Sequence, residues 1–136
     1  MELRLVILTP QKKYFDNLID SLTVTTSDGQ ITILSNHAKL IANLEISVMA
    51  ISYRGRSKHF AIGGGVIDVA DNIITLILNS IQSSDEIDVN IAIEEKKKAE
   101  KLLLNSKTGK EHSDAETRLK KVLVQIDVSS RGIDNA

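Results

Sequence analysis

The sequence predicts a mainly β protein with added α structure: an N-terminal antiparallel β-sandwich followed by a C-terminal antiparallel two-helix hairpin. Charge density and the placement of turn and aromatic residues predict this division. Residues 1–84 hold 7 basic and 7 acidic side chains, whereas residues 85–136 hold 10 and 11. All four aromatic residues and five of the seven glycines lie in the first part. We therefore predict a β domain over 1–84 and a helical domain over 85–136.

The overall composition excludes several classes of protein. The 136 residues carry a net charge of -1 and no cysteine, which excludes disulfides and thiol catalysis. A near-neutral charge also argues against a dedicated nucleic-acid binder. No apolar run approaches the ~20 residues that a bilayer crossing needs, and Glu2 and Arg4 interrupt any signal segment. We expect a soluble, unexported protein without direct bilayer insertion.

Alternating apolar residues predict the strands. The runs Leu22–Thr26 and Ile31–Ile33 flank Asp28-Gly29, two residues that tolerate the positive φ of a tight turn, so they predict a hairpin. The other predicted strands are Val48–Tyr53 and Lys58–Ile62 around Arg54-Gly55, and Val66–Val69 and Ile73–Leu78 around Asp71-Asn72. Short strands at this spacing are typical of an antiparallel sandwich or barrel.

The first helix is predicted from Asp85 to Leu104, a stretch without glycine or proline. Ser83 and Glu86 have the spacing of a capping box at its start. Its apolar face is narrow, because Glu95 and Lys96 interrupt it. Members of that face are Ala92, Ala99, Leu102 and Leu103.

The second helix is predicted after a polar turn at 105–110. Ser113 and Glu116 repeat the capping spacing. The apolar stripe that follows is cleaner and consists of Ala115, Leu119, Val122, Leu123 and Ile126. Residues 129–136 are predicted to form a frayed tail.

No arrangement of residues indicates catalysis. His37, His59 and His112 are too far apart in sequence for a metal-binding motif. Gly63–Gly65 is followed by another strand and not by a helix, so a bulge or a close backbone approach is the better interpretation than a phosphate loop. We predict a non-enzyme with no catalytic, metal-binding or cofactor-binding residue.

Several ordered stretches together resemble the epsilon subunit of F-type ATP synthases. In that family a turn and a strand precede a Pro-Gly-His-Ala-Pro-Leu-Leu segment. Here His37, Ala38, Leu40 and Ile41 fit, while Ser35-Asn36 replaces Pro-Gly and Lys39 replaces the second proline. The likeness continues through Phe60–Val69, Asn72–Leu78 and Glu86–Val89.

The resemblance implies a non-catalytic rotor subunit in the central stalk, coupling ion-driven rotation to ATP synthesis at catalytic sites elsewhere. Its sandwich would bind the gamma subunit and the c-subunit ring. The implied contact residues are Ser27, Asp28, Gly29, Gln30, His37, Leu40 and Ile41. Leu40 and Ile41 suit the sandwich core equally well. The implied location is peripheral, on the cytoplasmic face of a bacterial plasma membrane or the equivalent side of an organelle membrane.

The resemblance also implies a regulatory hairpin. In the family the helices fold against the sandwich or extend along gamma toward the catalytic beta and alpha subunits, where basic residues hinder rotation. Arg118, Lys120 and Lys121 are the implied inhibitory contacts, although a solvated helix face is the favoured interpretation for any single one of them.

One departure counts against ATP binding to the hairpin. Some family members bind ATP through an Ile-Asp-x-x-Arg-Ala segment and further arginines on the second helix. Here Ile91 replaces the arginine after Ile87-Asp88, and Asp114 stands where another would be expected, so we assign no nucleotide-contacting residue. Two alternatives stay open: a small-ligand-binding or sensor sandwich with a regulatory helical tail, and, less favoured because His and Glu are not clustered, a cupin-like enzyme.

Overall fold

The computed structural model describes residues 2–131 and the backbone of residues 133–135. Within these residues, the strands are β1 (Leu3–Leu8), β2 (Lys13–Ile19), β3 (Ser21–Thr26), β4 (Gly29–Ile33), β5 (Leu40–Tyr53), β6 (Arg56–Ala70), β7 (Ile73–Leu78), β8 (Ile81–Ser83) and β9 (Ile133–Asn135). These nine strands form one continuous sheet in the order β2-β1-β7-β6-β5-β3-β4, with β8 and β9 on the edge of β6. All of these strand pairs are antiparallel except β1 with β7. The predicted sandwich followed by a two-helix hairpin is confirmed.

The sandwich core is built from large aliphatic side chains on the inward face of each strand. Alternate residues of a strand point to opposite faces, so one face of β1, β3 and β7 is buried. Phe60 adds one buried ring, and Tyr14 packs edge-on against it with ring centroids 6.3 Å apart. The largest fully buried side chains include Leu3, Leu5, Ile7, Leu22, Ile33, Met49, Ile62, Ile67, Ile74, Leu76 and Leu78.

A glycine run lies in the middle of the long β5–β6 hairpin. The sequence predicts two separate strands here, whereas β6 is continuous through Gly63–Gly65, and β5 starts at Leu40 instead of Val48. Gly65 has a φ of +154°, and a Cβ there would lie 2.1 Å from the carbonyl oxygen of Ile77. The predicted close backbone approach is therefore confirmed, because only glycine lets β7 come this near.

The junction between sandwich and hairpin differs from the prediction. The Ser83–Glu86 capping box is present, but it starts only a 3₁₀ turn over Ser84–Glu86. The first helix, α1 (Val89–Leu104), begins later, and Asp88 caps it by accepting hydrogen bonds from the N–H groups of Asn90 and Ile91.

The second helix, α2 (Gly109–Arg131), begins before the predicted cap. Ser113 lies inside the helix, where its carbonyl oxygen accepts a hydrogen bond from the Thr117 hydroxyl. The start is stabilised by Thr108, whose Oγ1 accepts from Glu111 N at 3.1 Å, while Glu111 accepts from Lys107 N at 2.8 Å. Thr108 and Glu111 have the capping spacing that the sequence also offers at Ser113 and Glu116.

The C-terminal segment is not a frayed tail in its described part. Helix α2 continues to Arg131, and Ile133–Asn135 forms β9, antiparallel to Arg56–Lys58. Of the predicted tail, positions 132 and 136 lie outside the described residues.

The side chains that the two helices bury are small. Ala92 and Ala99 of α1 and Ala115 and Val122 of α2 are buried. Helix α2 packs on β5, β6 and β8, so the hairpin lies against the sandwich. Neither helix within residues 2–131 is long and apolar enough to cross a membrane. Two residues of the predicted stripes, Leu102 and Leu123, are instead largely exposed.

Candidate partner-binding surfaces

The β3–β4 turn is exposed at one end of the sandwich. Ser27, Asp28, Gly29 and Gln30 are all exposed. The hydroxyl of Thr26 holds the turn, because it donates to Gly29 O at 2.9 Å and accepts from Asp28 N at 3.1 Å. This turn is therefore a rigid, accessible projection, as a contact with a partner requires.

The loop after β4 carries the half-buried His37. Its backbone N–H donates to the carbonyl oxygen of Leu34 at 3.2 Å, and its ring Nδ1 lies 2.7 Å from Ala38 O. Asn36, with a φ of 67°, fastens the loop to the β6–β7 turn by donating its N–H to Asn72 Oδ1 at 2.6 Å. His37 is thus positioned by local contacts on an ordered loop.

Leu40 and Ile41 separate onto opposite faces of β5. Leu40 is half-buried and packs against the core, which is the structural role that the sequence left open. Ile41 is 75% exposed and lies opposite Asp68 on the outer face of the sheet. Of the two, only Ile41 has an accessible apolar side chain to offer a partner.

Other exposed aliphatic residues share that outer face. Val66 lies opposite Ile77 in the β6–β7 ladder, and Ile73 follows the same outward alternation in β7. Their exposed fractions are 37%, 58% and 41%. We call Ile41, Val66, Ile73 and Ile77 the outer patch. Of these four residues, the sequence pointed only to Ile41 as a contact. The other three belong to runs that are apolar on both faces, a pattern typical of strands that are covered on both sides.

The turn and the loop do not meet. They lie at the two ends of the five-residue strand β4, about 17 Å apart along its length. Ser27 N bonds to Asn43 O, beside the β5 segment that carries Ile41. The predicted contact residues are therefore spread over the two ends and one face of the sandwich, and are not gathered at one spot.

A hydrogen-bonded cluster joins the sandwich to the start of the hairpin. The Tyr14 hydroxyl donates to Glu86 Oε1, which also accepts from the backbone N–H and the hydroxyl of Ser83, each at 2.9 Å. Burial and the neighbouring carboxylate raise the pKa of Tyr14. Burial alone would raise the pKa of Glu86, but the hydrogen bonds from Tyr14 and Ser83 outweigh it, and this pKa is lowered. The cluster fixes the 3₁₀ turn on β2.

The three predicted basic residues of α2 do not form one patch. Because each residue turns a helix by about 100°, Lys120 lies about 160° around the helix axis from Arg118. Lys121 lies about 60° around the axis from Arg118. Lys121 lines a small cleft against the sandwich beside Gln125, whose side chain donates to Gln82 at 2.6 Å. Arg118 instead lines a groove of about 670 Å³ at the hairpin tip, together with Leu102 and Asp114.

In the segment that resembles an ATP-binding motif, the acidic side chain caps a helix. Asp88 Oδ1 accepts from Asn90 N at 3.0 Å and from Ile91 N at 3.2 Å, as the cap of α1. Ile91 is 58% exposed and has no polar group for a phosphate. Asp114, where another arginine would be expected, brings negative charge to the tip groove.

No group of three or more metal-binding side chains occurs within the described part of the chain. His59 is buried, whereas His112 is exposed and lies 2.6 Å from Glu116, its neighbour one helical turn away. The three histidines therefore have separate surroundings.

A packed sandwich with exposed aliphatic side chains on one face and an ordered turn at one end, with a helix pair laid against it, is typical of a subunit that docks in a larger assembly. Two family models match the chain. The β-sandwich domain of the ATP synthase delta/epsilon chain matches residues 2–84, and its long α-helix domain matches residues 85–130. The chain belongs to the ATP synthase delta/epsilon family, which confirms the resemblance found in the sequence.

Curated relatives agree with this assignment. The chain is 33% identical over 126 residues to an ATP synthase epsilon chain of Symbiobacterium thermophilum, covering 92% of this chain and 91% of the relative. It is 34% identical over 129 residues to that of Ruminococcus albus, covering 94% and 96%. With that of Pelotomaculum thermopropionicum it shares 36% identity over 100 residues, covering 74% and 75%.

Solved structures share the fold. A chain in the cryo-EM structure of the Euglena gracilis mitochondrial ATP synthase OSCP/F1/c-ring aligns with a TM-score of 0.83 at 16% identity, covering 96% of this chain and 82% of that one. A chain in the Tetrahymena thermophila mitochondrial ATP synthase central stalk and c-ring aligns with a TM-score of 0.69 at 19% identity, covering 95% and 97%. These likenesses extend the fold assignment to nearly the whole chain.

Proposed function

We propose that this protein is the epsilon subunit of the central stalk of an F-type ATP synthase, a non-catalytic rotor component that couples ion-driven rotation to ATP synthesis. Family membership across both domains carries the proposal. It favours this role over a small-ligand-binding or sensor module. The subunit would be peripheral, on the cytoplasmic face of a bacterial plasma membrane or the equivalent side of an organelle membrane.

The outer patch and the β3–β4 turn are the proposed contacts with the rotor partners. An interface that transmits torque needs buried apolar area, and each buried isoleucine contributes about 1.5–3 kcal/mol. Ile41 and Ile77 expose apolar area on the outer face of the sheet, and a partner could bury it. We assign the outer patch to the gamma subunit, and Ser27–Gln30, at one end of the sandwich, to the c-subunit ring.

Co-purification tests this assignment. We expect Ile41→Glu and Ile77→Glu to reduce recovery of gamma and the c ring with the tagged subunit, because a carboxylate would be placed against an apolar interface. Leu104→Glu is the matched control, since Leu104 is 86% exposed on the hairpin. Full recovery of both partners with the two sandwich variants would refute the assignment of the outer patch.

The hairpin is proposed to be an inhibitor of ATP hydrolysis that leaves the sandwich to reach the catalytic beta and alpha subunits. The small side chains that the hairpin buries, alanine and valine, support this release. A hairpin that buries little apolar area has a docked state whose free energy lies only a few kcal/mol below that of the released state. Arg118 and Lys120 are exposed in the docked state. Lys121 is also exposed but lines the cleft against the sandwich, so it would become fully accessible only on release.

Removal of residues 86–136 tests the inhibitory role. We expect the truncated subunit to assemble with the complex and ATP hydrolysis to rise, since the sandwich keeps its contact surfaces. The triple substitution of Arg118, Lys120 and Lys121 by alanine should raise hydrolysis less. Unchanged hydrolysis in the fully assembled truncated complex would contradict the role.

We also propose that the hairpin does not bind ATP. Ile91 supplies no hydrogen bond to phosphate, and the Asp88 carboxylate is engaged in capping α1. Calorimetry of the full chain with ATP should show no saturable heat. Restoring the family arginine with Ile91→Arg is the informative comparison, and tight binding by the unaltered chain would disprove the proposal.

A further inference from the structure

The edge of β6 opposite β5 is covered by three strands in succession. β7 pairs with Gly65–Ala70, β8 with Phe60–Ile62, and β9 with Arg56–Lys58. Without β9, the last of these segments would present unpaired backbone N–H and C=O groups, a site that invites strand addition. The C-terminal strand therefore completes the coverage of this edge.

β9 is coupled to the docking of α2 by its position in the chain. A single residue separates Arg131, the last residue of α2, from Ile133, the first of β9. The two Cα–Cα steps from Arg131 to Ile133 span at most about 7 Å, so β9 reaches β6 only while the end of α2 lies against the sandwich. The same end is held by Val128, which is fully buried, and by the hydrogen bond from Gln125 to Gln82.

We propose that Ile133–Asn135 is a latch, a strand that pairs with Arg56–Lys58 and so holds the hairpin on the sandwich. The latch stabilises the docked state in the isolated chain, independently of any partner. Release of the hairpin requires the three backbone pairs of β9 to open together with the α2 contact. Only its effect on ATP hydrolysis rests on the proposed inhibitory function.

An engineered disulfide tests the pairing. The described chain holds no cysteine, so Ser57→Cys with Asp134→Cys, at directly paired positions, would make a single disulfide. In the folded protein, without denaturant, we expect the two cysteines to oxidise rapidly to a disulfide within one chain. The matched control is Asp68→Cys with Asp134→Cys, because Asp68 lies toward the other end of β6. Failure of the first pair to cross-link faster than the control, or cross-linking only between two chains, would overturn the latch.

Hydrogen exchange measures what the latch contributes. Truncation after Arg131 in the full-length background should speed amide exchange in residues 122–131 by about tenfold, because those amides depend on the docked end of α2. Exchange in β1 and β7 should stay unchanged, since both strands belong to the sandwich core. Unchanged exchange in residues 122–131 would refute the latch.

The whole complex separates this proposal from the inhibitory function. With the disulfide oxidised, the hairpin stays docked, and ATP hydrolysis should rise to the level of the 86–136 deletion and fall again on reduction. If the disulfide forms and slows exchange in α2 but hydrolysis does not respond, the latch stands and the inhibitory function fails. If no disulfide forms, the latch fails whatever the hydrolysis rate.

Discussion

The sandwich and the hairpin are held together by different side chains. Most of the leucine, isoleucine and methionine side chains of the sandwich core have an exposure of 2% or less, including Leu5, Met49 and Leu76. The two helices meet through alanine and valine, and several of their leucines, such as Leu104, face solvent. Buried area determines how much each region contributes to stability, so we expect the sandwich to be the more stable platform and the hairpin a unit of lower stability.

The largest effect is expected in the platform. Leu76→Ala should lower the free energy of unfolding by about 3 kcal/mol, because it leaves a cavity in the core. Urea denaturation followed by circular dichroism would measure this. The control Leu104→Ala removes an exposed side chain and should change stability by less than about 0.5 kcal/mol. Equal losses in the two variants would abolish the distinction between the regions.

The close approach of Gly65 to β7 gives the next effect. Gly65→Ala should destabilise the sandwich by about 2 kcal/mol, because its Cβ would meet the Ile77 carbonyl oxygen and its φ is positive. In Gly109→Ala the new Cβ meets nothing within 4 Å, and α2 should be unchanged or slightly stabilised. Chemical denaturation compares the two. A Gly65 variant as stable as the parent would mean that β6 and β7 separate easily.

Val128→Ala addresses the attachment of the hairpin. The substitution removes two buried carbon atoms, because Val128 is fully buried. We expect it to weaken the free energy with which the hairpin docks on the sandwich by about 1.5 kcal/mol. We expect faster hydrogen exchange in α2, with no change in the unfolding midpoint of the sandwich. Lys120→Ala is the exposed control on the same helix. A fall in the sandwich midpoint would show that the two regions unfold as one unit.

The smallest effect concerns the ion pair on the sandwich surface. Arg4 donates two hydrogen bonds to Asp16, each 2.8 Å long, and holds the pKa of Asp16 at about 2. A lowered carboxyl pKa contributes stability above the unfolded value of 3.8 that is lost as the pH falls toward 2. NMR titration of Arg4→Met should move the Asp16 midpoint upward. If the titration midpoint of Asp16 does not move, Arg4 is not the cause of the low pKa.

Local patterns made much of the fold predictable. Alternation and the Asp28-Gly29 turn predicted β3 and β4 closely, and β7 over Ile73–Leu78 was predicted residue for residue. The capping spacing was ambiguous, because Thr108 with Glu111 and Ser113 with Glu116 both satisfy it. Which of the two pairs starts α2 depends on where α1 ends and on the path of the turn that follows it. The sequence does not show either.

The candidate surfaces were only partly predictable. The turn at Ser27–Gln30 and the exposed Ile41 were found from their resemblance to family segments. Val66 and Ile77 were missed, since a run that is apolar on both faces does not reveal which face remains uncovered. Nor could the sequence show that Lys121 lies against the sandwich while Lys120 points elsewhere.

Composition, short-range periodicity and ordered sequence segments predict the sparsely charged β domain, the densely charged helix pair, the main antiparallel strands and the family, because these are properties of neighbouring residues. The parallel pairing of β1 with β7, the close approach of β7 to Gly65 and the pairing of β9 with Arg56–Lys58 emerge only in the folded chain. Each of these joins residues far apart in the chain, so its stability depends on packing that no local pattern encodes.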